Sequence, residues 1–457
     1  MMLQNKKSAV LMTEGDPKKL ILSFAAPIFL SQLFQQLYNT ADAWMVSRFL
    51  GDDAFAAVSS SGSLIFMVIS FFVGASMGAG IVISRYFGAR DMEKVSQAVH
   101  TNVMLSFLCG LAVTIFGVLM TPTLLRWINV NETILPLSTK YFRYYFAGSL
   151  AMIMYNSLKG IMNAVGDSRR PLYYLIFSSL LNIFLDWLFV GLLGKGVEWA
   201  AIATTISQGA SAILCLIQLS RKGTVYRLSL GKLKIHWSLL KEILRYGVPT
   251  AVQNSVISFA NLLVQSNVNT FGEIGMASWG AYSKIEGFAF LPIASFSMAL
   301  STFIGQNLGA GEHERARRDA RFGLISSVLL AELIGLIIFL FAEPFIRFFL
   351  SGPEAVAWGV DHCRTVALFF CLLAFSNCIA GVLRGAGKAF VSMIVMLLIW
   401  CLLRIVYITV AMQIRHDIVL LYWAYPLTWG ISSLIYIIYY HRSDWLHGFD
   451  KKGAEAK

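Results

Sequence analysis

The sequence predicts an all-α membrane protein with twelve transmembrane helices in two six-helix lobes related by pseudo-twofold symmetry. Of its 457 residues, 57% are hydrophobic and 14% are charged, and the mean hydropathy is +0.66. Such a composition is too apolar for a soluble protein of this length and requires lipid as its solvent. The chain also repeats itself, and its positive charges alternate between successive loops.

The repeat relates two segments about 221 residues apart. Residues 76–93, SMGAGIVISRYFGARDME, and 297–314, SMALSTFIGQNLGAGEHE, share Ser, Met, Gly, Ala and Glu at equivalent positions without a shift. Pro27 matches Pro249 with one residue of slippage. The same register recurs downstream at Asn156, Gly160 and Gly166, which match Asn377, Gly381 and Gly387. Repeats of this kind indicate two structural halves with a working site between them, which favours transport.

Apolar stretches long enough to cross about 30 Å of hydrocarbon predict the helices in order. They cover residues 20–48, 54–86, 95–121, 134–163, 170–194, 197–220, 242–271, 276–308, 317–342, 357–384, 389–413 and 418–440. We expect a lobe at 1–220 that carries the cation or proton site, a cytoplasmic linker at 221–241, and a second lobe with a cytoplasmic tail at 242–457. Residues 232–245 could form either a plain linker or an amphipathic helix on the inner leaflet.

Lys and Arg follow the parity of the loops. The two termini and the even-numbered loops hold 26 of the 37 basic residues, whereas the odd-numbered loops hold five. The positive-inside rule therefore predicts that both termini are cytoplasmic. Because topology explains the net charge of +12, we expect no nucleic-acid partner.

Two carboxylates lie inside predicted spans, where burial of a charge is costly. Asp42 and Asp186 each lie about eight residues before the outer end of a helix, so both are about 12 Å below the outer surface. Thr204 reaches the same depth, and Asn182 is one turn from Asp186 on the same face. We add Asn39 to this predicted coupling site.

Two carboxylates, an amide and a hydroxyl form an all-oxygen site that suits a hard cation, or a proton shared between carboxylates that cannot both stay ionised. Asp42, Asn182, Asp186 and Thr204 are thus a possible Na⁺ site. The structural alternative is that each carboxylate is neutralised by a packing partner such as Lys159. The repeat does not duplicate the carboxylates, because Asp42 aligns with Val264. This asymmetry predicts ion handling in the N-terminal half.

A substrate cavity is predicted from amides and aromatic rings within the spans, since amides can line a wet cavity and rings can attract a lipophilic cation. The same residues could equally serve interhelical packing. The candidates are Tyr38, Tyr141, Asn156, Gln253, Asn261 and Phe288. Pro27 is the candidate hinge, because proline removes a backbone hydrogen bond and favours a kink.

The sequence indicates no enzyme. It contains no paired nucleophile and base, no HExxH motif and no phosphate-binding loop. We therefore expect no catalytic residues and no cofactor, with an ion gradient of H⁺ or Na⁺ as the energy source.

Several segments together resemble bacterial members of the multidrug and toxic compound extrusion (MATE) family. They are Pro27 with QQLYNTADAWMVSRFLG, GASMGAGIVISRYFGA, the segment GAYSKIEGFAFLPIASFSMALSTFIGQNLGAGEHERAR, and the Asn182/Asp186 pair. The resemblance implies two six-helix lobes, alternating access, and export of cationic or amphipathic small molecules in exchange for Na⁺ or H⁺. It also implies a multi-pass protein of the bacterial inner membrane, in contact with lipid, and we expect a monomer.

Within the family, the chain resembles the DinF-like branch, whose essential carboxylates on the first and fifth helices match Asp42 and Asp186. The NorM-like branch has acidic residues on the seventh and tenth helices, where this chain has amides at Gln253, Asn254 and Asn377. The alternative function is a lipid-linked oligosaccharide or polysaccharide flippase of the same superfamily. Many such flippases have more than twelve spans, which favours the exporter.

Overall fold

The computed structural model describes residues 9–127, 130–224 and 226–449, and all regular secondary structure within these ranges is helical. The extreme ends of the chain, which we predict to be cytoplasmic, lie outside the described residues.

Twelve helical stretches follow the predicted order, and their ends lie within six residues of the predicted bounds. They are α1 (Pro17–Leu50), α2 (Asp52–Gly88), α3 (Met92–Trp127), α4 (Leu135–Ala147 and Ser149–Ala164), α5 (Arg169–Asp186, continued by a π-helix over Trp187–Leu192), α6 (Glu198–Ser220), α7 (Trp237–Val268), α8 (Gly272–Gly309), α9 (His313–Leu340), α10 (Pro353–Ala367 and Phe370–Gly385), α11 (Ala389–Met396, a π-helix over Leu397–Leu403, and Arg404–Ile414) and α12 (Ile418–Arg442). Single turns at Leu230–Lys232 and Asn269–Phe271 and a short helix at Ala342–Arg347 complete the described structure.

Most of these helices are long and apolar enough to cross a membrane. Among the described residues, nine helical runs pass a test of length and hydropathy, and the run Trp237–Gly309 includes both α7 and α8. The two segments of α10 pass together as a span bent by 54°. Helix α4 is absent from this set, and its apolar stretch is divided at Gly148.

The chain divides into two compact units. The N-terminal unit contains Leu30–Gly247 and the start of the chain as far as Leu11, whereas the C-terminal unit contains Met12–Phe29 and the chain from Val248 onward. These limits differ from the predicted domains at 1–220 and 242–457. The division within α1 falls two residues after Pro27, and the division within α7 falls one residue before Pro249.

The repeat recurs as equivalent contacts within each unit. In the N-terminal unit, Gly160 faces the backbone carbonyl oxygen of Ser76, which would lie 3.6 Å from a Cβ at this position. In the C-terminal unit, Gly381 faces the carbonyl oxygen of Ser297, and a Cβ there would overlap it. Both contacts join residues that the 221-residue offset makes equivalent, so the sequence repeat corresponds to a structural one.

The linker docks on the N-terminal unit. The phenol of Tyr226 donates to Asp167 Oδ2 at 3.5 Å, and Arg170 Nη1 lies 3.3 Å from the same oxygen. Burial raises the pKa of the Asp167 carboxyl above its usual value, although Arg170 and Tyr226 partly oppose this shift. Residues 233–236 are not helical and α7 begins at Trp237, so the alternative of a separate surface helix over 232–245 was wrong.

Close packing fixes the first part of α7 against α2. Glu242 accepts hydrogen bonds from Arg85 Nη1 at 2.7 Å and from the Tyr86 hydroxyl at 2.9 Å. One side of this contact consists of Gly78 and Gly247, where a Cβ on Gly78 would overlap the backbone of Gly247. Small residues permit this backbone approach, as expected for helix packing in membranes.

Candidate ion-binding site

The two predicted carboxylates come together inside the N-terminal unit. Asp42 lies on α1, eight residues before its end, and Asp186 is the last residue of α5 before the π-helix. Their carboxyl groups lie within hydrogen-bonding reach of each other. Asp186 is 1% exposed. The structure thus brings the two carboxylates together, and their role as a coupling site stays a prediction.

Three of the four carboxylate oxygens in this pair have no hydrogen-bond donor in the described part of the chain. Among the described residues, neither Asp186 oxygen nor Asp42 Oδ1 accepts a hydrogen bond from a donor group. Lys159 forms no ion pair with either carboxylate in the described part of the chain, and its ammonium instead lies 5.6 Å from the centre of the Tyr155 ring. The alternative in which Lys159 neutralises the carboxylates has no support in these contacts.

The predicted amide and hydroxyl lie beside the pair. Asn182, one turn before Asp186, donates from Nδ2 to Thr204 Oγ1 on α6 at 3.4 Å. Both side chains are buried. The bond turns the amide nitrogen toward Thr204, and Asn182 Oδ1 has no hydrogen-bond donor among the described residues. The cluster therefore presents amide and carboxylate oxygens, which are ligands for hard cations.

An apolar cluster covers the predicted outer end of this site. Val46 and Val190, each four residues beyond one of the carboxylates, pack into the same cluster as Tyr141 and Phe142. Side chains four residues apart on a helix lie on the same face. The two valines are 1% and 2% exposed, so apolar packing separates the carboxyl pair from the helix ends.

Tyrosines form another side of the site. Tyr141 is buried and lies near both carboxylates, and Tyr145 lies near Asp42 with its ring centre 6.0 Å from that of Tyr141. The hydroxyl of Tyr38, one turn before Asp42, accepts a hydrogen bond from Gln208 Nε2 at 3.2 Å. Tyr38 and Tyr141, which were predicted for the substrate cavity, thus lie beside the carboxyl pair.

Gln208 was not predicted for this site, although the sequence holds a signal for it. It lies one turn after Thr204 on α6, on the same face. Its own Oε1 is buried without a donor among the described residues. The π-helix after Asp186 also had no sequence signal. Such wider turns often occur at functional sites, and this one begins directly after the carboxylate.

Asn39, predicted for the coupling site, and the four remaining predicted cavity residues have no described contact with the carboxyl pair. Asn39 is exposed on α1, and no described contact joins it to the carboxyl pair. Asn156, on α4, donates from Nδ2 to the carbonyl of Met152 at 2.9 Å. The remaining three candidates belong to the C-terminal unit: Gln253, which accepts from Ser392 at 3.1 Å, and the exposed Asn261 and Phe288. Their role in a substrate cavity stays a prediction, as does the hinge role of Pro27.

The described residues of the C-terminal unit contain no carboxyl pair equivalent to Asp42 and Asp186. Val264, which aligns with Asp42, is 1% exposed and apolar. A buried cation of this unit, Arg404, donates to Thr428 Oγ1 at 3.0 Å and lies 4.2 Å from the centre of the Tyr425 ring. Nor do the described residues contain any cluster of three or more His, Cys, Asp or Glu side chains suited to a bound metal.

Comparisons with known proteins agree with this architecture. The sequence profile of the MatE family matches twice, over residues 27–188 and 249–410. A probable multidrug resistance protein NorM from Thermotoga maritima is 30% identical over 83% of this chain and 82% of its own length. The probable multidrug resistance protein YoeA from Bacillus subtilis is 28% identical over 91% of this chain and 92% of its own.

A solved structure shares the fold. The outward-facing structure of a MATE transporter of the MOP superfamily superimposes with a TM-score of 0.88 at 23% identity, covering 95% of this chain and 98% of that one. Solved structures of this family have twelve helices in two lobes, in agreement with the predicted fold class. The two profile matches, one in each half of the repeat, establish that this multi-pass chain belongs to the MATE family of membrane transporters, which are not enzymes.

Proposed function

We propose that this protein is an H⁺- or Na⁺-coupled antiporter that exports cationic or amphipathic small molecules by alternating access. The observation that carries the proposal is the pair formed by the half-buried Asp42 and the buried Asp186. Neither Asp186 oxygen nor Asp42 Oδ1 has a hydrogen-bond donor among the described residues. Two carboxylates in a low-dielectric interior repel each other unless a proton or a cation lies between them. Such a pair has the property that a coupling site needs, because its charge changes when the ion binds.

Exchange of ion for substrate follows if the two compete for the negative charge of the carboxyl pair. A bound proton or Na⁺ neutralises the negative charge of the pair and lowers its attraction for a cationic substrate. A bound cationic substrate makes ion binding less favourable by the same free energy. Rings of Tyr38 and Tyr141 beside the carboxylates can attract the substrate cation through their faces. Na⁺, where it is the coupling ion, would contact Asp42, Asn182, Asp186 and Thr204.

The finer features of the proposal come from the sequence. We place the protein in the DinF-like branch and in the bacterial inner membrane, as a monomer in contact with lipid and with both termini in the cytoplasm. The absence of a carboxylate at Val264 supports this branch, since ion handling is then confined to the N-terminal unit.

The test is transport by purified protein in proteoliposomes, with the pH gradient and the Na⁺ gradient imposed independently. We expect a fluorescent lipophilic cation to move against its gradient when one of the two ion gradients is present. A variant with Asp186→Asn should lose this coupled movement and remain folded. Transport of the dye that ignores both gradients would reject ion-coupled antiport.

A further inference from the structure

A cavity of about 510 Å³ lies between the linker and the start of α3, away from the carboxyl site. The linker supplies Lys232, Lys234 and His236 to its lining. Both lysines are exposed, so their ammonium groups remain available to a ligand. We propose that this cavity binds the anionic headgroup of a phospholipid from the inner leaflet.

The backbone of the linker is held in place around this cavity. The N–H of Ser229 donates to His100 Nε2 at 3.0 Å, and the N–H of His236 donates to Thr101 Oγ1 at 3.1 Å. These two bonds join both ends of the lysine-bearing segment to α3. The cavity is therefore formed by a fixed segment, and its lysines are not on a free loop.

His100 forms part of the wall without contributing charge. Because Nε2 accepts a hydrogen bond from Ser229, the ring proton is on Nδ1, which donates to the carbonyl of Ser96 at 2.6 Å. In the neutral form of His100, each ring nitrogen thus has a hydrogen-bond partner. The fixed positive charge of the lining comes from Lys232 and Lys234. Glu93 is the one acidic residue of the lining, and its carboxylate accepts a hydrogen bond from Gln97 at 3.1 Å.

An exposed apolar face runs from this cavity along α3. Gln97 lines the cavity, and Met104, Leu108, Leu111 and Ile115 follow on the same face at helical spacing. The last three are 47%, 41% and 53% exposed. A charged cavity at one end of an exposed apolar face matches a molecule with an anionic head and long apolar tails. A soluble phosphate compound would use the head site alone.

The predicted topology places the cavity at the level of the lipid headgroups of the inner leaflet. The positive-inside rule places the linker on the cytoplasmic side, where anionic lipids attract basic segments. Trp237 follows the cavity directly and is 70% exposed. Tryptophan is enriched at the level of the headgroups, so the cavity lies where an inner-leaflet phosphate would be.

The experiment compares lipids of equal chain length on the full-length protein in detergent. Retention by native mass spectrometry and the thermal midpoint are measured with phosphatidylglycerol, phosphatidylcholine or inorganic phosphate. We expect phosphatidylglycerol to be retained preferentially and to raise the midpoint. Equal effects of the two lipids would overturn the proposal. A midpoint raised equally by inorganic phosphate would identify a phosphate site in place of a lipid site, and would overturn it as well.

Matched variants locate the effect. Lys232→Gln with Lys234→Gln should weaken phosphatidylglycerol retention about thirty-fold, and Lys232→Arg with Lys234→Arg should restore it. Arg221→Gln with Lys222→Gln removes the same charge from exposed positions of the same linker that do not line the cavity, and should leave retention unchanged. Equal loss in the two glutamine variants would show general surface attraction and overturn the specific site.

Discussion

Asp42 and Asp186, from the first and fifth helices, bring their carboxyl groups within hydrogen-bonding reach of each other in the interior of the N-terminal unit. Neither Asp186 oxygen has a donor among the described residues. A buried carboxylate without donors, placed next to a second carboxylate, is costly to maintain for stability alone. Its retention inside a transporter is explained if the pair binds and releases an ion.

Replacement of either carboxylate should abolish coupled export. Asp42→Asn and Asp186→Asn keep the size of the side chain but remove the negative charge that the ion neutralises. Dye efflux from cells at matched expression should fall to the level of the empty vector. Glu354→Gln, which changes an exposed carboxylate at the start of α10, is the control and should export normally. Efflux by both asparagine variants at the wild-type rate would reject the role of the pair.

The hydrogen bond between Gln208 and Tyr38 should affect substrate affinity without being essential for coupling. Gln208→Leu leaves the Tyr38 hydroxyl without its donor, and a neutral hydrogen bond contributes about 1 kcal/mol. We expect a fall of up to about tenfold in affinity for a cationic dye, with coupling retained. Gln208→Glu replaces this donor by an acceptor for the Tyr38 hydroxyl and adds a negative charge, so it should instead raise affinity for the cation. Complete loss of coupling in Gln208→Leu would mean that this residue belongs to the essential set.

Gly160 and Gly381, which are equivalent in the repeat, should differ in how well they tolerate replacement by alanine. A Cβ on Gly381 would overlap the carbonyl of Ser297, whereas a Cβ on Gly160 would lie 3.6 Å from the carbonyl of Ser76. Gly381→Ala should therefore lower the thermal midpoint of the purified protein by several degrees, and Gly160→Ala should change it little. Gly280→Ala on α8 meets open space and should be neutral or stabilising, since alanine favours helix. Equal midpoints for the Gly160 and Gly381 variants would contradict the contact geometry.

Asp167 should make the docking of the linker depend on pH. Its pKa is raised in the folded protein, mainly by burial. A carboxyl with a raised folded pKa favours the folded state at low pH, and this contribution is lost as the pH rises through the folded value. The midpoint of the wild type, relative to Asp167→Asn, should thus decrease as the pH rises above the ordinary carboxyl pKa of about 3.9. A midpoint that increases with pH would show that Arg170 lowers the pKa of Asp167 by more than burial raises it.

Much of the helical frame could be predicted from the sequence. Apolar runs of membrane-crossing length separated by charged loops define the twelve stretches, and the equal depth of Asp42 and Asp186 placed them together. The bend in α10 could not be predicted, because Leu368 and Phe369 are neither proline nor glycine. There the N–H of Cys371, freed by the bend, donates to Glu332 Oε2 at 3.1 Å, a long-range contact that has no local sequence signal.

Other features depend on tertiary packing. The π-helix after Asp186 has no residue type that marks it, and the assignment of Met12–Phe29 to the C-terminal unit depends on contacts far along the chain. One of these is the N–H of Met12, which donates to Gln306 at 2.8 Å. Gln208, by contrast, was accessible to the spacing argument that located Asn182, because it lies one turn from Thr204.

The most direct test of the central claim is equilibrium binding of a lipophilic cation to the purified protein, titrated separately with protons and with Na⁺. If ion and substrate compete for the charge of Asp42 and Asp186, affinity should fall as the pH is lowered or as Na⁺ is raised. The dependence should vanish in the double variant Asp42→Asn/Asp186→Asn, which should also bind the cation weakly at every pH. Wild-type affinity that is unchanged by both ions would contradict the exchange mechanism.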